Sequence, residues 1–226
     1  MKKLMIVLAV PVMIVAALTV AEVTGGCGLL DAADEIWIGP ITQTFEFDLD
    51  ANDVRTLLEV QLGVSLAGQT EFPAQLGNID MDLEFDTPPE KVDLTGNDKL
   101  KKYVDAGHVK SVKIDSVTYN ITQNTLNYDL PLLQMYMDDY EATGITDGVS
   151  QLVATLPVIT AGDTGPGAVQ WASNGQSILS DYLMSFKFAI IGRASVEIDT
   201  NKTRAIPAGQ LAGLVEVQVK FSVDPL

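Results

Sequence analysis

A period of two governs most of this chain and constrains its fold more than any other feature. In Ile41–Asp50, ITQTFEFDLD, the apolar residues Ile41, Phe45, Phe47 and Leu49 fall on one side of an extended backbone. Thr42, Thr44, Glu46, Asp48 and Asp50 fall on the other. Asn78–Asp86 alternates Ile79, Met81, Leu83 and Phe85 against Asp80, Asp82, Glu84 and Asp86. Leu214–Val223 places Val215, Val217, Val219, Phe221 and Val223 on one face, and Tyr182–Ile190 does so through Tyr182, Met184, Phe186, Phe188 and Ile190. Successive side chains of a strand point to opposite faces. The pattern therefore predicts strands with one dry face and one wet face, as in antiparallel sheets.

Two further stretches carry the same signal with interruptions. Val109–Ile121 changes phase at Asp115-Ser116, which is the effect of one extra residue in a β-bulge. Gln123-Asn124 reads as a hairpin turn into Leu126–Met137, where Pro131 suggests an edge or a second bulge. Gln151–Ile159 is a further strand. Short helices are expected at Asn52–Leu62, capped by Asp50 or Asn52, and at Asn97–Ala106, capped by Asn97 and stopped by Gly107. A third, Ser173–Leu183, competes with the strand after it. Pro88-Pro89, Gly162–Gly167 and Ile206–Gly209 read as loops. The expected class is mainly β: an antiparallel β-sandwich of about seven to nine strands with two or three short helices. The hairpin VKSVKIDSVTYNITQNTLNYDLPLL is similar to the strand pattern of late-embryogenesis-abundant type 2 sandwiches, a resemblance of fold that carries no function.

Charge narrows the function. The chain carries a formal net charge of −16. Residues 1–26 hold two lysines and one glutamate, so the rest has 12 basic and 29 acidic side chains, a net −17. Nucleic-acid binding needs clustered Lys and Arg, and attraction to an anionic membrane surface needs the same, so both are argued against. Cations and basic partners are permitted. Excess acid also keeps an exported domain soluble.

The sharpest local motif is Asp48–Glu59, DLDANDVRTLLE. Asp48, Asp50, Asn52 and Glu59 fall at positions 1, 3, 5 and 12, the oxygen-ligand spacing of an EF-hand calcium loop. Asp53 stands where that loop needs glycine, and Arg55 stands at its usual apolar position. The competing reading is a strand, an acidic cap and a helix, with the carboxylates favoured at the positive helix N-terminus. A second acidic group, Asp138, Asp139, Glu141 and Asp147, reads as a solvated connection or another calcium loop. His108 is the only histidine and Cys27 the only cysteine, which leaves little for Ser-His-Asp, Cys-His or zinc chemistry. No phosphate loop or dinucleotide fingerprint occurs. A carboxylate pair for hydrolysis has no sequence spacing to find. No catalytic residue is therefore assigned, and no cofactor beyond candidate calcium.

The N-terminus addresses location. Met1-Lys2-Lys3 precedes LMIVLAVPVMIVAALTVA, 18 residues without a charge. That is the pattern of a secretory signal, at the lower length limit of a membrane span of roughly 20 residues. It predicts an N-terminal apolar helix. Then comes TVAEVTGGCGLLD, which resembles the lipobox of bacterial lipoproteins: small residues Thr24, Gly25 and Gly26 lead into Cys27. The usual leucine is replaced by Thr24. The resemblance covers about the first 30 residues and implies cleavage before Cys27 and lipidation of Cys27. It also implies, through Gly28, sorting to the outer membrane. An uncleaved membrane anchor and ordinary signal cleavage remain as alternatives. The expected organisation is a signal or anchor at 1–26, a linker at 27–38 and one domain at 39–226. The expected function is a membrane-anchored extracytoplasmic lipoprotein of the bacterial cell envelope, on the outer membrane or periplasmic face. It would act as a non-catalytic binding or structural module. The membrane holds it through lipid or helix, and its partner is another envelope protein or itself, with no nucleic acid. The alternatives are a filament or surface-assembly subunit and a carboxylate-based hydrolase.

Overall fold

The computed structural model describes residues 36–225. The expected apolar helix and Cys27 lie outside the described residues. Of the expected linker, residues 36–38 are described, and they are strand. The chain runs β1 (Ile36–Asp50), α1 (Ala51–Leu62), β2 (Asp80–Asp86), β3 (Glu90–Asp93), α2 (Lys101–Asp105) and β4 (Val109–Asn124). It continues through β5 (Leu132–Asp139), β6 (Gln151–Leu156), β7 (Gly165–Ala168) and β8 (Gln170–Trp171), then α3 (Gly175–Ser185), β9 (Lys187–Asp199) and β10 (Gln210–Val223). A 3-10 turn lies at Ala74–Leu76. The fold is mainly β, in two antiparallel sheets. One has the order β1-β10-β4-β7. The other has the order β2-β9-β5-β6-β8, with β3 also on β9. The inner faces of both sheets contribute to one apolar cluster, the arrangement of a β-sandwich.

The period-two faces lie as expected. Ile41, Phe45 and Leu49 of β1 are buried, as are Val215, Val217, Val219, Phe221 and Val223 of β10 and Leu83 of β2. Ten strands form among the described residues, against the expected seven to nine. The additional ones are short: β3, β7 and β8 have four, four and two residues. Strands so short carry too few alternations to show a period. Gly162–Gly167 was expected to be a loop, but Gly165–Ala168 pairs with β4, and a Cβ on Gly167 would lie 2.3 Å from the Tyr119 ring. Glycine there admits the tyrosine, a close approach that composition alone reads as a turn.

The bulge expected in β4 is present. Gln218 faces Ser116 and Val219 faces Ile114, which leaves Asp115 as the extra residue. Its carboxylate meets Lys220 Nζ at 2.7 Å. The expected hairpin at Gln123-Asn124 does not form, because β4 and β5 belong to different sheets. Asn124 is buried at the crossing. Its Nδ2 donates to the carbonyls of Thr160 and Asp163, and its Oδ1 accepts from Leu126 N at 3.2 Å. These bonds hold a chain that changes sheet rather than one that doubles back.

Local signals set the helices. Asp50 caps α1 by accepting from Asn52 N at 2.8 Å, and Gly63, at φ 65°, ends it. Val54, Leu57 and Leu58 form its buried face. Asn97 receives Lys99 N on its side chain, so α2 begins after one turn, at Lys101. The competition at Tyr182–Ile190 goes to the helix. Here α3 continues to Ser185, Phe186 adopts φ 60° at its end, and β9 starts at Lys187. Phe186 then lies 6.0 Å from Phe221 between ring centres. Phe221 is fully buried on β10, so Phe221→Ala is expected to cost about 3–5 kcal/mol, read by denaturant unfolding.

Candidate functional site

The proline pair at 88–89 interrupts an edge strand and shapes the site. Strand β2 follows β9 as far as Asp86, opposite Arg193. Thr87 extends the contact by one residue: its N–H donates to Gly192 O and its hydroxyl accepts from Gly192 N, both at 2.8 Å. Pro88 and Pro89 have no N–H to give a ladder. Pairing resumes only at Glu90, opposite Ile190. The edge therefore departs from the sheet for two residues while β9 advances by one, Ile191.

Beside that departure a cleft of about 230 Å³ opens between the edge strands of the two sheets. Its apolar wall comes from Phe45 and Phe47 of β1, Val215 of β10, Ile190 of β9, Leu133 and Met135 of β5, and Leu156 of β6. Its polar groups are Glu46, Asp48, Thr87, Glu90 and Gln134.

Glu90 is the unusual member. Opposite partners in a ladder share a face, and Ile190 faces the core. Val92, two residues on, is also buried. The Glu90 side chain thus lies on the inward face of the sheet, half-buried. Burial, and secondarily repulsion from Glu46, raise its pKa to about 7. A charged carboxylate loses hydration there and finds a like charge nearby. The cations around it are engaged elsewhere. Lys91 Nζ donates to the carbonyls of Tyr140 and Ala142. Arg193 makes a two-pronged pair with Asp86, at 2.7 and 3.0 Å, which raises the arginine's pKa.

The EF-hand candidates are not gathered around one point. Asp48 is exposed on β1, Asp50 caps α1, and Asn52 is exposed in the first turn. Glu59 is seven residues along the same helix, about 10 Å away at 1.5 Å per residue. Its Oε1 accepts from Leu66 N at 2.5 Å and Ser65 Oγ at 3.4 Å, closing the loop after α1. An EF-hand needs a loop over this span, and the chain makes a strand and a helix instead. Among the described residues, no three His, Cys, Asp or Glu side chains are placed to hold a metal ion.

The second acidic group is likewise divided among structural tasks. Asp138 is buried, accepts from Asp139 N at 2.7 Å and is bonded by Ser150 Oγ. Ser150 Oγ in turn accepts from Thr146 N at 2.8 Å, which ties the 139–150 connection to β5. His108 Nδ1 lies 3.1 Å from Pro225 O, and Asp224 N donates to His108 O. Trp37 is exposed on β1, opposite Ser222. Sequence reasoning missed Glu90. The signal available was PPEKVD: after two prolines, Glu90 shares the parity of the apolar Val92, while Lys91 and Asp93 take the other face.

No family model matches this chain, and no curated protein matches it. Among solved structures, a chain of Desmodium yellow mottle tymovirus is similar over 91% of this chain and 93% of its own, at 10% identity and a TM-score of 0.21. A score that low carries no argument.

Two outcomes follow from the geometry. Glu90 has a folded pKa above its unfolded one, so the folded state holds the extra proton between about 4.5 and 7. Stability is then greatest below the unfolded value and falls as pH rises toward 7. Glu90→Gln should leave stability unchanged near pH 4 and raise it at pH 8 by on the order of 1–2 kcal/mol, allowing for solvent screening of a partly open group. Urea unfolding at both pH values reads this. Asp50→Ala should cost about 1 kcal/mol as a lost helix cap, by the same amount in calcium and in chelator, read by thermal melts.

Proposed function

We propose that this chain is an extracytoplasmic module of a bacterial cell envelope, tethered at Cys27, that binds a small apolar ligand without catalysing its conversion. The cleft beside Pro88-Pro89 carries the binding part of this reading. It combines an apolar wall with a few polar groups at one end, the ordinary composition of a ligand site. At 230 Å³ it has room for about seven or eight water-sized groups of roughly 30 Å³ each. The signal-like apolar run and TGGC support the tether. No helix among the described residues is long and apolar enough to cross a membrane.

A second reading, a subunit of a surface assembly, draws on β1. This strand is 15 residues long and, among the described residues, pairs only with β10, which leaves a long edge for a further strand. Its test is size-exclusion chromatography at high concentration, where a strict monomer would exclude it.

The tether is tested by the intact mass of protein extracted from its own membranes. The expected mass is residues 27–226 plus acyl chains, and retention of Met1 would replace the lipid with a spanning anchor. The cleft is tested by Ile190→Trp, which fills it. Binding of small apolar probes such as hexanol should be lost while the fold, read by circular dichroism, survives. Turnover of any substrate that disappears in Glu90→Gln would replace binding with hydrolysis.

A further inference from the structure

The polar end of the cleft defines the head of its ligand. Glu46 and Asp48 come from β1 and Glu90 from β3, and none of the described residues lining the cleft is lysine, arginine or histidine. Neighbouring cations are satisfied elsewhere: Lys91 at the Tyr140 and Ala142 carbonyls, Arg193 at Asp86. Gln134 and Thr87 are neutral, and β5, β6 and β10 add only apolar lining besides Gln134. An anionic head would meet the Glu90 carboxylate with that of Glu46 beside it, and no donor of opposite charge. A neutral head would leave the inward Glu90 uncompensated. A cation would supply the missing opposite charge at the point where the carboxylate is least hydrated, and there a charge pair is stronger than at the open surface.

We propose that the cleft binds an amphiphile with a protonated amine head, its ammonium at Glu90 and its short apolar body between Phe45, Phe47, Leu133 and Ile190. This rests on the reading of the cleft as a ligand site. The size of the cleft suits a body of about six carbons, given roughly 30 Å³ for each group of water size.

The state of Glu90 gives the pH dependence. An alkylamine stays protonated from pH 5 to 8. Glu90 is largely ionised at pH 8 and largely protonated at pH 5.5, since its pKa is near 7. Glu46 of β1 is the charged group that acts on Glu90, and the polar side chains beside it on the other lining elements, Thr87 and Gln134, do not titrate. Affinity for the amine should therefore fall as pH falls.

The test is calorimetric titration of the full chain with hexylamine, hexanol and hexanoate at pH 8 and pH 5.5. Glu90→Gln serves as the control, so that partition into the lipid or detergent around the anchor cancels. Hexylamine is expected to bind at least about tenfold more tightly than hexanol at pH 8 and to lose most of that margin at pH 5.5. In Glu90→Gln it should bind like hexanol at both pH values, while hexanol itself is unchanged. If hexanol binds and hexylamine is no tighter, the amine head is wrong and the apolar cleft stands. If hexanoate binds most tightly, the charge argument is overturned. If none of the three binds, the cleft reading and this proposal fail together.

Discussion

Strands β9 and β10 each have hydrogen-bonded neighbours on both sides, and the rest of the molecule is arranged around that requirement. A central strand must satisfy two rows of backbone groups and present its alternate side chains to a dry face. In β10 the ladder to β1 spans Ile36–Asp50 and the ladder to β4 spans most of Val109–Asn124. In β9, the first half pairs with β3 and the second with β2, while β5 occupies the other side. The apolar residues of these two strands, from Phe188 to Ile198 and from Leu211 to Val223, form the middle of the core. Buried apolar area of this kind, at about 25 cal/mol per Å², holds the two sheets together.

The same requirement explains where the fold is open. A central strand cannot lose a partner for long, but an edge strand can. The edge opposite β9 is divided between β2 and β3, and the division falls at Pro88-Pro89. Two residues without N–H groups are tolerated because an edge strand bonds on one side only: of two successive positions one would have faced the open edge, so the ladder to β9 loses a single donor. The opening they leave lies over apolar side chains, so it becomes a cleft with a dry floor. A carboxylate that enters the inward face there titrates far from its usual range. Cleft, inward glutamate and raised pKa thus share one cause, the proline break in an edge strand.

Much of this fold could be read from residue order, because two-sided strands repeat their signal. Alternation placed the dry faces of β1, β2 and β10, the phase change at Asp115 located a bulge, and Asp50 and Gly63 bounded α1. The failures have physical reasons. Strands of two to four residues have no period, and Gly165–Ala168 pairs only because glycine lets Tyr119 lie across it. Sheet membership of β4 and β5 is a non-local choice, fixed by bonds from Asn124 to residues near 160. The carboxylates of Asp48–Glu59 matched a calcium spacing along the chain, yet a strand followed by a helix carries them apart. Glu90 was hidden for the converse reason. Only pairing with Ile190 turns it inward, and that pairing involves residues a hundred positions away in the chain.

The state of Glu90 is the most direct measure of this account. Its side-chain carboxyl carbon can be followed by NMR from pH 4 to pH 9 in the full chain, assigned by loss of the signal in Glu90→Gln. A midpoint near 7 is expected if the side chain lies inward over the apolar wall beside Glu46. A midpoint near 4.5, the value of an ordinary glutamate, would place the side chain in water and contradict both the cleft and the function built on it.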